Sequence, residues 1–381
     1  MLRPPALISL LLLGRPGHAT AVVPPPSEGS RGACLGEFSF CNSTGSCTLS
    51  DCTSCAHGEY RCPLPDLSHD PPWATCVHGA EWYLSCPNMT GTHLDWALSE
   101  AERLDYLVAH TTLAEQAAQL TAGAPALERM GIPSYNWLDD DDHGTATGDG
   151  TNFPNGVTLG MSWDRELLHR VGRAIGLEAR GGHNGFVHSG NRGPGMYTNN
   201  GVGISLYAPN MNLVRDPRWG RAQEVYSECP QLTSELTVGF VTGAQGASPT
   251  DGAALDEPQL LTVACCKHLA AYDLENYGVG IPPNNGVVDR VHFNANVTSR
   301  NMWETYLPPF EACLRHGRAG SVMASFNSIN GVPSSANGPL INGVLRKQWG
   351  ADFFAVSDYD GWANLVDPQG FSSNFTAAAA T

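Results

Sequence analysis

The sequence is poor in charged residues, which make up 15% of its 381 positions, and it is especially poor in positive charge. Lys and Arg number 21 against 37 Asp and Glu, so the formal net charge is −16. A surface of this sign repels phosphate backbones and anionic lipid headgroups. The composition therefore disfavours nucleic acids and anionic membranes as partners, and it suits a protein with an uncharged ligand.

Several motifs and long apolar runs are also missing. No G-x-G-x-x-G or P-loop sequence follows an apolar run, which disfavours a nucleotide-binding fold. No serine-triad motif is present. No uninterrupted apolar stretch reaches the 18 residues that indicate a transmembrane helix, so we expect the mature chain to be soluble.

The N-terminus has the three parts of a secretory signal peptide. Arg3 supplies positive charge, Ala6–Leu13 is a short apolar run, and Ala19-Thr20-Ala21 is a small-residue cleavage site. We therefore predict a signal peptide over residues 1–21, a Pro-rich linker over 22–33, and a secreted, extracellular protein.

Eight of the twelve cysteines lie between Cys34 and Cys86. In an exported chain this density predicts a disulfide-rich module over residues 34–86, although its pairing cannot be read from the sequence. A zinc half-site at Cys52-x-x-Cys55 is the alternative, which export disfavours. Four N-x-S/T sequons support glycosylation of the exported chain. They begin at Asn42, Asn88, Asn296 and Asn374.

From about Leu94 onward, helical patterns alternate with short apolar runs that end in polar residues. The helical patterns cover 94–120, 159–178 and 301–316, and the apolar runs cover 131–137, 204–210, 261–266, 321–327 and 353–357. This alternation predicts an α/β fold of the TIM-like (β/α) barrel type, with an open doubly wound sheet as the alternative. In such barrels the reactive side chains project from the C-terminal ends of the strands.

Polar residues at these strand ends are the candidates for chemistry. Asp358 ends an apolar run and could act as a nucleophile toward an anomeric carbon, although an Asp here could equally cap a helix. Lys267 and His268 end another run, and both can donate hydrogen bonds to a ligand. A cation beside a carboxylate also keeps that carboxylate ionised. The alternative is a salt-bridged Lys beside a core His.

Two further segments could bind a ligand. Residues 215–221 place three arginines and Trp219 in one loop, where they could hold sugar hydroxyls and a sugar face, or form a surface network with Glu224 and Glu228. The run Asp139–His143 suggests a metal, but consecutive residues cannot all face one centre and no EF-hand spacing follows. We expect no metal and no cofactor. Together the candidate sites suit a neutral sugar.

Six stretches, in this order, carry a family resemblance: 135–137 with 143–144, 207–210, 215–224, 265–276, 322–333 and 356–358. With these stretches the sequence resembles the N-terminal barrel domain of glycoside hydrolase family 3, from about Cys86 to the end. Within that family it is most similar to the β-xylosidase and α-arabinofuranosidase branch. The cysteine-rich module is not part of the family domain, which we assign to residues 87–381.

The resemblance implies a role for each matching residue. Asp358 would be the nucleophile of a retaining mechanism. The residues that would bind substrate are Asp140, Tyr207, Arg221, Lys267, His268, Phe326 and Tyr359. Asp140 stands where this branch usually has Glu, Phe326 where a Tyr is usual, and Tyr359 where glucosidases have Trp.

The acid/base Glu of the family lies in a second domain C-terminal to the barrel, and only 381 − 358 = 23 residues follow Asp358 here. We therefore expect a barrel that is incomplete at its C-terminus and a chain that is a fragment without its acid/base. The implied function is a secreted exo-acting β-xylosidase acting on xylo- or arabino-oligosaccharides. The alternatives are a β-glucosidase, a carbohydrate-binding pseudoenzyme, or a structural extracellular protein. The oligomeric state stays open.

Overall fold

A computed structural model describes short strands between Cys34 and Ser85 and residues 91–95, 97–132, 134–137, 140–145, 150–188, 203–249, 252, 259–275 and 289–379. The predicted signal peptide and linker, and the sequons at Asn42 and Asn88, lie outside these residues. The chain divides into two compact units. The first comprises residues 1–137 and 184–201, and the second comprises residues 138–183 and 202–381.

The N-terminal part of the first unit contains seven very short strands. They are β1 Cys34–Leu35, β2 Phe38–Ser39, β3 Cys47–Thr48, β4 Asp51–Cys52, β5 Arg61–Pro63, β6 Val77–His78 and β7 Tyr83–Ser85. All their pairings are antiparallel: β1 with β2, β3 with β4, and β7 with both β5 and β6. The cysteine side chains here lie outside the described residues, so the disulfide-rich module stays a prediction.

Two capped helices follow, α1 (Glu100–His110) and α2 (Leu113–Ala118). The hydroxyl of Ser99 accepts from the backbone N–H of Glu102, whose carboxylate accepts from the backbone N–H of Ser99. These two contacts form a capping box, and the Ser99-x-x-Glu102 spacing in the sequence is the pattern that predicts one. Thr112 begins α2 with a capping box of its own, so two helices form within the helical pattern predicted over 94–120.

Among the described residues of the strand predicted over 131–137, only residues 135–136 form a named strand, and their pairing differs from that of a barrel strand. Tyr135–Asn136 (β9) pairs antiparallel with Gly123–Ala124 (β8). The 3₁₀ turn Glu128–Met130 and Gly131, whose φ is +67°, reverse the chain between them. Glycine adopts this left-handed conformation without a steric penalty. Because the reversal is local, β9 pairs with the preceding segment and the predicted parallel pairing at 131–137 is wrong.

The second unit contains the remaining elements, although the helix Arg165–His188 extends five residues past the boundary at residue 183. Its helices are α3 Gly156–Gly160, α4 Arg165–His188, α5 Pro230–Gln245, α6 Ser299–Asn301, α7 Pro308–Glu311 and α8 Phe375–Ala379, with π-helical segments Met302–Tyr306, Ala312–His316 and Pro339–Gln348. Its strands are β10 Ser205–Leu206, β11 Val263–Leu269, β12 Asn294–Ala295, β13 Ser321–Ala324, β14 Ser328–Ile329, β15 Val332–Pro333 and β16 Phe354–Ser357. No helix in the described ranges is both long and apolar enough to cross a bilayer.

The centre of this unit is a parallel sheet with the strand order β10-β11-β13-β16. Every pairing in it is parallel, as the alternating pattern predicts. All seven residues of β11 are buried, which explains why the sequence shows a continuous apolar run there. A mixed α/β fold with a parallel sheet is thus confirmed, whereas closure into a barrel stays a prediction.

Two features fix the helices against each other and against this sheet. Helices α4 and α5 approach so closely that a Cβ on Gly243 would lie 2.0 Å from the carbonyl oxygen of His169. A disulfide joins Cys266 of β11 to Cys313 in a π-helical segment, 47 residues apart in sequence. By the loop-entropy relation, closing such a loop stabilises the fold by about 4 kcal/mol.

Candidate active site

The carboxyl ends of the parallel strands bring the candidate side chains to one edge of the sheet. Lys267 and His268 lie within β11, and Asp358 directly follows β16. Tyr207 and Asn210 follow β10, and the backbone at Asn210 forms a bridge with Lys267. The segment that carries Asp140 also contributes to this edge, because its side chain contacts Lys267.

Lys267 is a buried cation held by two carboxylates. Its Nζ lies 2.5 Å from Oδ1 of Asp140 and 2.7 Å from Oδ2 of Asp142. The Lys267 side chain is only 2% exposed, whereas that of Asp140 is 68% exposed and that of Asp142 is 13% exposed. Burial lowers the pKa of Lys267, but the charges of Asp142 and Asp140 outweigh it and hold that pKa above its usual value. Lys267 is therefore always protonated.

The two carboxylates on Lys267 differ in their surroundings. Desolvation raises the pKa of Asp140, but Lys267 outweighs it and keeps that pKa below its usual value. Asp142 is more deeply buried, and it accepts the backbone N–H of Asn210 at 3.0 Å. Burial and the charge of Asp140 raise the pKa of Asp142 to about 6. Asp140 is therefore the ionised carboxylate that solvent and a ligand can reach, and Asp142 anchors Lys267 from the protein side.

Arg221 and Glu224 form a second ion pair at this edge. Nε of Arg221 lies 2.7 Å from Oε1 of Glu224, and a terminal nitrogen of Arg221 lies 2.6 Å from Oε2 of the same carboxylate. Asn210 donates to the same carboxylate at 3.0 Å. Arg221 also lies over the ring of Tyr272, with 5.5 Å to its centroid. The fixed orientation makes the guanidinium a suitable donor for a ligand hydroxyl.

Asp358 has one carboxylate oxygen bound and one unbound. Oδ1 accepts the backbone N–H of Tyr359 at 2.7 Å. Oδ2 is buried, has no hydrogen-bond partner among the described residues, and lies 3.6 Å from Nε2 of His268. Burial raises the pKa of Asp358 to about 6, against the opposing effect of the Tyr359 N–H and of nearby cations including Arg221. At neutral pH the group is therefore mostly ionised, with one oxygen available for reaction.

His268 is held on its far side by Asn212, whose side-chain oxygen lies 3.0 Å from Nδ1. The ring lies edge-on to that of Tyr272, with centroids 5.2 Å apart. Burial and the charges of Arg221 and Lys267 hold the pKa of His268 well below its usual value. His268 is thus neutral at this site.

An aromatic cluster contacts His268 and Arg221 through the ring of Tyr272. Tyr272 is buried, contacts Trp219 and Phe326 edge-on, and donates its hydroxyl to Glu275 at 2.7 Å. Arg290 binds Glu275 at 3.0 Å and stacks over Phe326, with 4.3 Å to the centroid. Phe326 therefore supports Arg290 in this fold.

Two other predicted residues differ in burial. Tyr207 is buried, whereas Tyr359, the residue after Asp358, is 52% exposed. Asn296 and Asn374 are both exposed, as glycosylation requires. No group of three or more His, Cys, Asp or Glu side chains in the described ranges is placed to hold a metal ion. The two described carboxylates of the Asp139–His143 run that reach the site bind Lys267 instead.

Sequence reasoning missed Asp142, Asn212 and Arg290. Asp142 lies in the acidic run, but nothing there indicates which Asp contacts Lys267 from the protein side. The Asn210-x-Asn212 spacing was the available signal for Asn212, because alternate residues of an extended segment share a side. Arg290 lies 22 residues beyond His268 and carries no local signal.

Comparisons with known proteins agree with this arrangement. Residues 198–380 match the model of the glycosyl hydrolase family 3 N-terminal domain. The chain is 36% identical over 279 residues to a probable β-D-xylosidase of Arabidopsis thaliana, covering 70% of this chain and 34% of the relative. It is 37% identical over 268 residues to an exo-1,4-β-xylosidase of Emericella nidulans, covering 67% of this chain and 31% of the relative.

Solved structures of glycosidases are also similar to this chain. A family 3 exo-β-xylosidase bound to a xylobiose aziridine probe superposes with a TM-score of 0.63 and 28% identity, over 75% of this chain and 35% of that chain. A mutant β-glucosidase of Listeria innocua bound to laminaribiose superposes with a TM-score of 0.51 and 30% identity. The match covers 66% of this chain and 29% of that chain. The chain spans about a third of the length of the relatives it matches.

Proposed function

The chain carries a glycosyl hydrolase family 3 N-terminal domain, and from this premise we propose that the protein is a retaining exo-β-glycosidase of the xylosidase type. The observation that carries the proposal is Asp358. It directly follows a parallel strand, its side chain is 11% exposed, and its Oδ2 is free of hydrogen bonds among the described residues. An ionised and unbound carboxylate oxygen is what attack on an anomeric carbon requires.

In this proposal the non-reducing-end sugar binds over the strand ends. The Asp358 carboxylate attacks the anomeric carbon while the glycosidic oxygen departs with a proton from the acid/base, which leaves a covalent glycosyl-enzyme ester. Water then attacks the same carbon, loses its proton to the acid/base, and releases the sugar with its configuration retained. In this family the acid/base is a Glu of a second domain, so the proposal concerns the whole protein and not residues 198–380 alone.

The charged pairs would hold the sugar hydroxyls. Asp140 is exposed and ionised, so it can accept hydroxyl hydrogen bonds. Lys267 and Arg221 are fixed by their carboxylate partners and can direct their remaining N–H groups at the ligand. A neutral sugar satisfies such mixed donors and acceptors, in keeping with the low positive charge of the chain. Two relatives named as xylosidases support a pentose substrate.

We further propose that the protein is secreted. The signal-peptide pattern at residues 1–21 supports this, and so does the Cys266–Cys313 disulfide, because such bonds persist in oxidising compartments. The exposed sequons at Asn296 and Asn374 suit a glycosylated surface.

Proton NMR of the first-formed product tests the retaining mechanism. The full-length protein should release β-xylose from an aryl β-xyloside before mutarotation, and Asp358→Asn should abolish this release. Asp360→Asn serves as the matched control, because Asp360 is exposed on the same turn. Release of the α-anomer would refute retention. Xylo-oligosaccharide binding without hydrolysis would favour the pseudoenzyme, and faster release of β-glucose from an aryl β-glucoside would favour the glucosidase.

A further inference from the structure

Asn212 and His268 are joined by three contacts, all of them buried. The side-chain NH2 of Asn212 donates to the backbone carbonyl of His268 at 2.8 Å. The side-chain oxygen of Asn212 accepts the backbone N–H of His268 at 3.1 Å. The same oxygen lies 3.0 Å from Nδ1 of the imidazole. The amide therefore binds both the main chain and the ring of one residue.

The main chain fixes which way this amide faces. A backbone carbonyl can only accept, so the NH2 of Asn212 must face it, and a backbone N–H can only donate, so the oxygen must face that. The atom opposite Nδ1 is then an acceptor, and Nδ1 must carry the proton. A neutral imidazole has one N–H, so Nε2 is left with a lone pair.

The groups around the ring keep it in this neutral state. Arg221, Lys267 and Arg290 are the cations that act on it, and together with burial they oppose a second proton. Asp358 is the one anion within ion-pair distance among the described residues, at 3.6 Å. Tyr272 presents the edge of its ring. The surroundings therefore favour the neutral form over the imidazolium.

We propose that Asn212 is a positioning residue that fixes the tautomer of His268, so that Nε2 points at the site as a hydrogen-bond acceptor for a substrate hydroxyl. This inference rests on the proposed glycosidase function for the identity of that hydroxyl. The tautomer of His268 also affects Oδ2 of Asp358, the atom assigned to nucleophilic attack. An Nε2–H would donate to Oδ2 of Asp358 and occupy the attacking lone pair, whereas an acceptor at Nε2 leaves that oxygen free.

Nitrogen-15 NMR of histidine-labelled full-length protein reads the tautomer directly. The His268 signals, assigned by their loss in His268→Gln, should show a protonated Nδ1 and an unprotonated Nε2 at pH 7. Asn212→Ala removes the acceptor opposite Nδ1, so the proton should be distributed over Nδ1 and Nε2 of His268. A proton on Nε2 in the wild type, or an unchanged Nδ1–H in Asn212→Ala, would overturn the proposal. This measurement needs no catalysis, so it is independent of whether the protein is a glycosidase.

Kinetics of Asn212→Asp separate a positioning role from a structural one. A carboxylate at this position stabilises the imidazolium, which turns Nε2 into a donor. The acidic limb of the kcat/KM profile should move up by about one pH unit, with activity recovering at higher pH. A uniform loss at every pH, with only the thermal midpoint lowered, would show that Asn212 merely supports the fold. Failure of an activated 2-deoxy-2-fluoro-β-xyloside to label Asp358 in the wild type would instead refute the proposed function.

Discussion

The ammonium nitrogen of Lys267 lies 2.7 Å from Oδ2 of Asp142, and the two side chains are 2% and 13% exposed. Asp140 contacts the same nitrogen from the exposed side. The two carboxylates that contact Lys267 therefore have different roles. Asp142 holds the cation in place, and Asp140 remains accessible to a ligand.

Replacing Asp142 with Asn should weaken substrate binding more than turnover. Lys267 loses a charge-assisted hydrogen bond worth about 1.5–3 kcal/mol, so its position above the sheet edge becomes less defined. We expect KM for an aryl β-xyloside to rise about ten-fold or more, with a smaller change in kcat. Glu166→Gln is the control, because Glu166 is an exposed residue of a surface ion pair on α4. An unchanged KM would show that Asp140 alone is sufficient to hold Lys267.

Replacing Asp358 with Asn should raise stability while removing activity. The folded-state pKa of Asp358 is raised from its usual value of 3.8 to about 6, because the charged form is desolvated. Above about pH 6 the native protein therefore bears the full cost of an ionised buried carboxylate. Below about pH 4 both folded and unfolded states bind the proton and the cost disappears.

The expected gain for Asp358→Asn at pH 7 is about 1–3 kcal/mol in the free energy of unfolding. It should shrink as the pH falls from 6 to 4. Denaturant unfolding of both proteins across this range measures it, with Asp360→Asn as the control for the same turn. A gain that is constant with pH would show that the carboxyl is not strained by desolvation.

Replacing Asp140 with Glu should widen any preference for pentose over hexose substrates. In the xylosidase branch that the sequence resembles, the Glu usual at this position would crowd the space that a hexose hydroxymethyl needs, and Glu is one methylene longer than Asp. A difference of this size is worth roughly 1–3 kcal/mol of discrimination. The ratio of kcat/KM for aryl β-xyloside to that for aryl β-glucoside should rise accordingly. A wild-type preference for the glucoside that Asp140→Glu leaves untouched would refute the role assigned to Asp140.

Replacing Gly243 with Ala should destabilise the packing of α4 on α5. The added Cβ would lie 2.0 Å from a backbone carbonyl of His169, so one helix must shift. Overpacking of this kind costs about 1–3 kcal/mol. Gly343→Ala is the matched control, because Gly343 also lies within a helix and its Cβ would meet no atom within 4 Å. Equal thermal midpoints for the two variants would show that the helices can separate at no cost.

The sequence predicted the parallel strands because β11, β13 and β16 are buried or half-buried apolar segments with polar ends. It placed Lys267 after a strand that ended at Cys266, whereas β11 continues to Leu269. An apolar run in the sequence ends at the first polar residue even where the strand stays buried, so a strand with buried polar residues near its end is predicted too short. The resemblance to glycoside hydrolase family 3 is confirmed by the family match.

The partners of the site residues could not be predicted in the same way. Asp142 and Lys267 are separated by 125 residues in sequence, and Asn212 and His268 by 56. Such pairs depend on which segments the fold brings together, and no local pattern specifies them. The same holds for Cys266 and Cys313, because cysteine positions alone leave the pairing open.

Trapping of the covalent intermediate tests the central claim that Asp358 is the nucleophile. Full-length protein is incubated with an activated 2-deoxy-2-fluoro-β-xyloside, digested, and analysed by peptide mass spectrometry. The account predicts one fluoro-xylosyl group per chain, attached to Asp358 and absent from Asp358→Asn. A label on Asp360 or on any other carboxylate, with Asp358 unmodified, would contradict it.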